Sequence, residues 1–251
     1  MRDVRVRQAL VHGLDRQVIV DTVYQGLTQV ADTLPQPSDP LHRLVEERGL
    51  PRYPYDPGRA EQLMADAGWA RTASGFEGPG GQRFGIEIRT VGGSPENERE
   101  ILAIANLWSG VGFNGRTFLI PSGVANADEL RAKTEGVFSN PLRIDPESMG
   151  NFTSAQISTE ANRWRGSNRG GYVNPLYDRT YGDYLTALET ERRQGLLADL
   201  LKMAADEVIF APVYYDASTA YVAFRKGIRG PGEVSSRQLA NLWNVQTWDA
   251  T

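Results

Sequence analysis

The stretch from Gly171 to Tyr215, GYVNPLYDRTYGDYLTALETERRQGLLADLLKMAADEVIFAPVYY, most constrains what this chain can fold into. Tyr177, Tyr181, Tyr184, Leu185 and Leu188 recur at steps of three and four, the one-face spacing of an amphipathic helix. Thr190, with Glu191 in the turn after it, predicts the N-cap of a second helix whose apolar stripe is Leu196, Leu197, Leu200, Leu201 and Ala204. Val208 to Tyr215 is then a short run rich in β-branched and aromatic residues, which predicts a buried strand interrupted by Pro212 near an edge. Two helices deliver one strand.

From the start of the chain, Asp3 is placed to cap a helix carrying Val6, Ala9, Leu10 and Leu14 on one face. Asp15 to Tyr24 puts Val18, Ile19, Val23 and Tyr24 on a second such face, stopped by Gly26. Thr28 to Pro40 holds three prolines and no helical period, and reads as a connecting segment. In YDPGRAEQLMADAGW, Asp56 is the N-cap, Pro57 sits at N1, and Leu63, Met64 and Ala67 face inward before Gly68.

The glycine-rich turn Gly75 to Gly81 leads to Phe84, Ile86, Ile88 and Thr90, the alternation of a strand. A helix over 95–109 buries Ile101, Ala105 and Trp108, with Leu102 beside them. Asn114-Gly115 turns the chain into a second strand over 117–120, a short helix covers 128–133, and Val137-Phe138 starts a third strand. Strands separated by helices predict an α/β lobe with crossover connections. Ser139 to Gly171 shows little regular pattern, and a loop that long inside a compact domain points to function or mobility.

Composition narrows the function classes. A net charge of −4 without a basic stripe gives no electrostatic case for nucleic acid. The absence of cysteine excludes disulfides, thiolate nucleophiles and thiolate metal sites. The glycine-rich turn lacks the Lys-Ser/Thr of a P-loop and precedes a strand, so it is not a phosphate cradle. His12 and His42 sit in no metal or relay spacing, no G-x-S-x-G elbow is present, and Glu46-Glu47 and Asp206-Glu207 are merely adjacent. An enzyme is not expected, nor is a cofactor.

Three segments carry a resemblance. Val6 to Gly26, the Asp56-Pro57 helix ending in Gly68-Trp69, and Gly171, Tyr172, Asn174, Pro175, Tyr177 and Asp178 followed by Pro212, Tyr214 and Tyr215 resemble the family 5 extracytoplasmic solute-binding proteins. These are the peptide-type receptors of ABC importers. The resemblance implies a periplasmic-binding-protein-like α/β lobe of type II, in the large peptide-receptor subclass, with a mixed sheet flanked by helices. It also implies that 1–212 is the second, ligand-binding lobe and 213–251 a hinge-crossing segment that completes a first lobe. Met1 stands almost directly before the opening helix pair, so the chain is expected to be a fragment lacking its N-terminal lobe. A signal sequence upstream and a periplasmic or cell-surface lipoprotein are expected with it.

The implied partners are an oligopeptide or other small-molecule ligand, ABC permease subunits and the missing lobe. The alternative from another class is a ligand-sensing domain of a transcription regulator, since the same lobes occur in such proteins. In peptide-binding members an acidic residue a few positions before a "DP" or "EP" pair neutralises the peptide's amino terminus. With Asp145-Pro146 as that pair, the position falls at or near Leu142, and Arg143 follows. An ammonium without a counter-charge is costly, so an ordinary peptide amine is placed in doubt. Ser139, Asn140, Leu142 and Arg143 are the expected ligand-facing residues of the loop. Trp164, flanked by Arg163 and Arg165 with Arg169 and Tyr172 near, is the expected aromatic and cationic wall. Tyr214 completes the candidate set.

Overall fold

Asp3 and Asp15 open the first two helices as the spacing predicts. The structure, a computed structural model, describes residues 1–37, 39–142, 146–215, 228–229 and 248–250. The Asp3 carboxylate accepts the Arg5 N–H at the start of α1 (Val4–His12), and Asp15 accepts from Gln17 and Val18 at the start of α2 (Arg16–Val23). Val6, Ala9, Leu10, Ile19 and Val23 are buried, whereas Val18 stays at the surface.

The connector contains a start signal that its prolines conceal. Asp39 caps α3 (Pro40–Glu47) through the Leu41 N–H, with Pro40 in the first turn, where its missing N–H costs nothing. Asp56 does the same for α4 (Pro57–Asp66), which closes on Gly68 at φ 87°. The expected glycine-rich turn over 75–81 is a turn only in its later part: its first three residues form β2 (Gly75–Glu77), which pairs with β1 (Ala70–Thr72) in a small hairpin too short to show a period.

A parallel sheet follows, built from β3 (Ile86–Val91), β4 (Gly115–Ile120) and β5 (Val137–Phe138) in the order β4-β3-β5. Ile86 pairs with Gly115 and Val91 with Ile120, while Ile88 and Arg89 pair with Val137 and Phe138. The crossovers are α5 (Pro95–Val111), capped by Ser94, and α6 (Ala127–Ala132). Central β3 alternates fully buried Ile86, Ile88 and Thr90 with half-buried neighbours, as a strand covered by α5 on one face should. Leu102 is exposed on α5. Gly136 is required at the entry to β5, because a Cβ there would overlap the Glu87 carbonyl oxygen.

Beyond the sheet come α7 (Pro146–Gly150), a 3-10 turn at Ser154–Gln156, α8 (Pro175–Thr186) and α9 (Thr190–Asp206). Two cores result. One gathers α1, α2, α4, α5 and the sheet around Met64, Phe76, Ile88, Ile101 and Phe113. The other gathers α3, α7, α8 and α9 around Val45, Met149, Tyr177, Leu200 and Leu201. Each such side chain contributes about 1.5–3 kcal/mol on burial.

Three expectations for the end of this region are corrected. Leu185 and Leu188 do not lie on the buried face: Leu188 falls beyond α8 and is 97% exposed. The cap of α9 is Glu189, without a side-chain bond, and Thr190 is its first residue. Val208 to Tyr215 is not a strand. Val208 takes φ 46° and closes α9, its N–H reaching the Ala205 carbonyl at 3.0 Å and that of Ile209 reaching Ala204 at 3.1 Å. Pairing returns only at the isolated bridge of Tyr214 with Val30. Pro212 lacks the N–H a longer ladder would need.

The chain divides into two units, Met1–Tyr214 and Tyr215–Thr251. In the second, β6 (Ile228–Arg229) pairs antiparallel with β7 (Asp249–Ala250).

Candidate functional site

Residues 137–139 carry two polar clusters. Ser139 extends the β5 ladder, its N–H donating to the Arg89 carbonyl at 2.8 Å and its own carbonyl accepting from Thr90 Oγ1 at 3.2 Å. Its hydroxyl donates to Glu100 Oε1 at 2.6 Å. Glu100 is 5% exposed and lies on the apolar stripe of α5. The other carboxylate oxygen meets the hydroxyls of Tyr24 at 2.9 Å and Tyr214 at 2.8 Å, which are themselves 2.5 Å apart.

Three oxygens thus share two tyrosine protons, and the rings pack with centroids 4.3 Å apart. Burial first, and the Glu100 charge second, push both tyrosine hydroxyls well above their usual range. This cluster clasps the end of α2, α5, the residue after β5 and the segment after α9. The Ser139 and Tyr214 hydroxyls, two of the expected ligand groups, are therefore committed to Glu100.

The second cluster is cationic. The Arg169 guanidinium lies 5.6 Å from the centre of the Phe138 ring, and Lys133 Nζ lies 4.9 Å from that of Trp164. Arg131, at the end of α6, meets Asp128 at 3.4 Å. Burial, then the charge of neighbouring Arg131, pulls Arg169 below the usual arginine range. The Nε atoms of Arg131 and Arg169 are both buried and have no hydrogen-bond partner. Arg163 and Trp164 hold φ of 56° and 62°, a left-handed pair of non-glycine residues of the kind that concentrates at binding sites.

The remaining expected residues are scattered. Asn140 is exposed, its amide donating to the Pro141 carbonyl at 2.9 Å, and Leu142 is half-buried. Arg143 lies outside the described residues. Tyr172 is directed to the helical core, edge-on to Tyr177 at 5.7 Å, and accepts the Asn174 amide at 2.9 Å. It does not share a wall with Trp164 in the way its place in sequence implied.

The loop over 139–171 is held by one amide that periodicity could not reveal. Buried Asn168 donates Nδ2 to the carbonyls of Thr153 at 3.0 Å and Tyr172 at 2.7 Å, and its Oδ1 accepts the Tyr172 N–H at 2.9 Å. Asp178 of α8 accepts the Ser154 N–H at 2.9 Å. Sequence reasoning also passed over Glu100, Tyr24 and Arg131. Glu100 had a signal: it stands four residues before Ile104 and eight before Trp108, a carboxylate on an apolar stripe.

Among the described residues no group of three or more His, Asp or Glu is placed to hold a metal ion, and no helix is long and apolar enough to cross a membrane.

Comparison with known proteins bears on the family and the fold. The family model described as bacterial extracellular solute-binding proteins, family 5 Middle, matches residues 1–153. The nickel-binding periplasmic protein of Escherichia coli is 25% identical over 214 residues, covering 85% of this chain and 40% of that protein. Heme-binding protein A of Haemophilus influenzae is 32% identical over 222 residues, covering 87% of this chain and 37% of its own length. The crystal structure of the oligopeptide-binding protein from Thermus thermophilus, complexed with a pentapeptide, superposes with a TM-score of 0.70 at 27% identity. It covers 85% of this chain and 38% of that one. These relatives are binding proteins, and none of them supports the transcription-regulator alternative. The chain spans about 40% of the length of the relatives it matches. The matched model takes in the opening helix pair and the Asp56-Pro57 helix, two of the three segments that carried the resemblance, and covers more than half of the chain. The chain belongs to the bacterial extracellular solute-binding proteins of family 5.

Proposed function

We propose that this chain supplies the second lobe, over 1–212, and the hinge-crossing segment, over 213–251, of an ABC importer's solute receptor. The ligand bridges two lobes, the closed form gains population through the added contacts, and that form docks on the permease. No covalent step is involved. The receptor works outside the cytoplasm, as a periplasmic protein or a surface lipoprotein.

The observation that carries this reading is the match of fold and sequence over 85% of the chain to a receptor holding a pentapeptide. The cargo is a short peptide or a peptide-like small molecule, met by Asn140, Leu142, Arg143 and Trp164. Ser139 and Tyr214 are bound to Glu100, and Tyr172 to Asn168, so they are not counted among the contacts. Leu142 offers no charge for an ammonium, which favours a cargo whose amine is blocked or absent.

Native mass spectrometry of the whole receptor, purified gently from its host, tests the reading by weighing the cargo retained in the closed cleft. A retained small molecule that is lost on mild unfolding is the expected result. A receptor that carries nothing and gains no ligand from a host extract would refute it.

A further inference from the structure

We propose that Glu100 is a positioning residue of the receptor, through which the start of the ligand-facing loop after β5 and the segment that follows α9 move together. The assignment rests on the receptor reading and adds to it the side chain that links the two places.

Both places are held on one carboxylate. Ser139 follows the last residue of β5 and stands directly before Asn140, and its hydroxyl donates to Glu100 Oε1 at 2.6 Å. Tyr214 is the last residue of the first unit, and its hydroxyl donates to Oε2 at 2.8 Å. A carboxylate is planar, so Oε1 cannot turn without Oε2, and the terminal torsion of glutamate is broad enough to let the group turn. Glu100 is 5% exposed, so a hydroxyl that fails to follow is left unpaired in a buried setting, which is costly. A shift of Ser139 is thereby passed to Tyr214.

The far end is placed to respond. The Ala31 N–H donates to the Val213 carbonyl at 3.1 Å, and Tyr214 forms an isolated bridge with Val30. Its hydroxyl is thus a side-chain anchor for a segment whose ladder is one bridge long. Tyr24, at the end of α2, braces the anchor with its own hydroxyl, 2.9 Å from Oε2 and 2.5 Å from that of Tyr214. Tyr177 shows the contrast. Its hydroxyl is also buried, but it donates to the Met149 carbonyl at 2.9 Å, a bond to the backbone that ties α8 to α7 and passes nothing on.

The test is hydrogen exchange of the full chain, without ligand, followed amide by amide by NMR. Ser139→Ala and Tyr214→Phe each remove one hydroxyl and leave the backbone donors in place. The reporters are the N–H of residue 139, which donates to the Arg89 carbonyl at 2.8 Å, and that of Ala31. The Trp69 N–H on the Met64 carbonyl and the Phe113 N–H on the Trp108 carbonyl, both at 2.9 Å, lie outside the cluster and set the factor due to overall destabilisation. Beyond that factor, Ser139→Ala is expected to speed exchange at Ala31 by about threefold or more, as coupling within one hydrogen-bond network does. Tyr214→Phe is expected to do the same at residue 139, because coupling between two places is reciprocal. In a Glu100→Leu background the effect of Ser139→Ala at Ala31 should vanish; if that background does not fold, the two hydroxyl variants decide alone.

Reporters that respond only to the variant on their own side, or that rise no more than Trp69 and Phe113, would overturn the link. A cross effect that survives Glu100→Leu would overturn it too. The exchange needs no cargo, so the receptor reading fails or stands separately, by whether the intact receptor retains one.

Discussion

Phe138 and Ser139 are consecutive, yet they serve polar clusters of opposite character. Ser139 joins Tyr24 and Tyr214 on Glu100, a buried carboxylate whose two oxygens both accept hydroxyls. Phe138 lies under Arg169, whose buried Nε has no acceptor, as is true of Arg131. A satisfied buried charge stiffens a fold, and an unsatisfied one is a cost that the fold carries until something binds. The difference separates a clasp whose carboxylate is fully partnered from cations whose Nε atoms are not, although consecutive residues touch the two.

Removing the carboxylate should have the largest effect. Glu100→Ala leaves three hydroxyls without their acceptor, and urea unfolding should register a loss of about 3–5 kcal/mol. A loss below about 1 kcal/mol would mean that the clasp is not structural. Tyr24→Phe and Tyr214→Phe should each cost about 1–2 kcal/mol. Because both hydroxyls meet Glu100 Oε2, the double variant should cost less than the two single losses together, which a double-mutant cycle measures.

The clasp should also respond to alkali. Tyr24 and Tyr214 have hydroxyls raised above their unfolded values, so the folded state holds those protons more tightly than the unfolded state does. Their contribution is complete below the ordinary tyrosine value of about 10 and declines as pH rises through and beyond it. Unfolding midpoints followed upward from neutral pH should fall in that range, and the Tyr24→Phe, Tyr214→Phe double variant should flatten the fall.

The smallest effect is expected on the cationic side. Arg169→Met removes a cation without a hydrogen-bond partner while keeping much of its apolar stem, so stability should stay within about 1 kcal/mol of the parent or rise. A loss as large as that of Glu100→Ala would erase the contrast and make Arg169 a structural residue.

Legibility followed the range of the interaction. The Asp3 and Asp56 caps were readable because cap and recipient lie within three residues. The β3–α5–β4 crossover was readable because alternation and helical period each repeat within a dozen residues. Helix α3 was missed because prolines masked an Asp-Pro start of the kind recognised at Asp56. The strand expected over 208–215 failed because α9 closes through a left-handed Val208 that turns back on Ala205, a conformation its β-branched side chain does not signal. In the candidate site, Trp164 and the arginines were visible as residue types, but that Trp164 meets Lys133, Arg169 meets Phe138 and Tyr172 meets Tyr177 was not.

By itself the sequence determined most helix starts, the alternating α/β order with crossovers, and through three local motifs the family. The tertiary structure alone decided which polar groups are spent and which are left open. The donors to Glu100 come from positions 76, 114 and 39 residues away, and no local pattern encodes such partners. Hydrogen bonding depends on distance and direction in space, whereas caps and periodicity depend on separation along the chain.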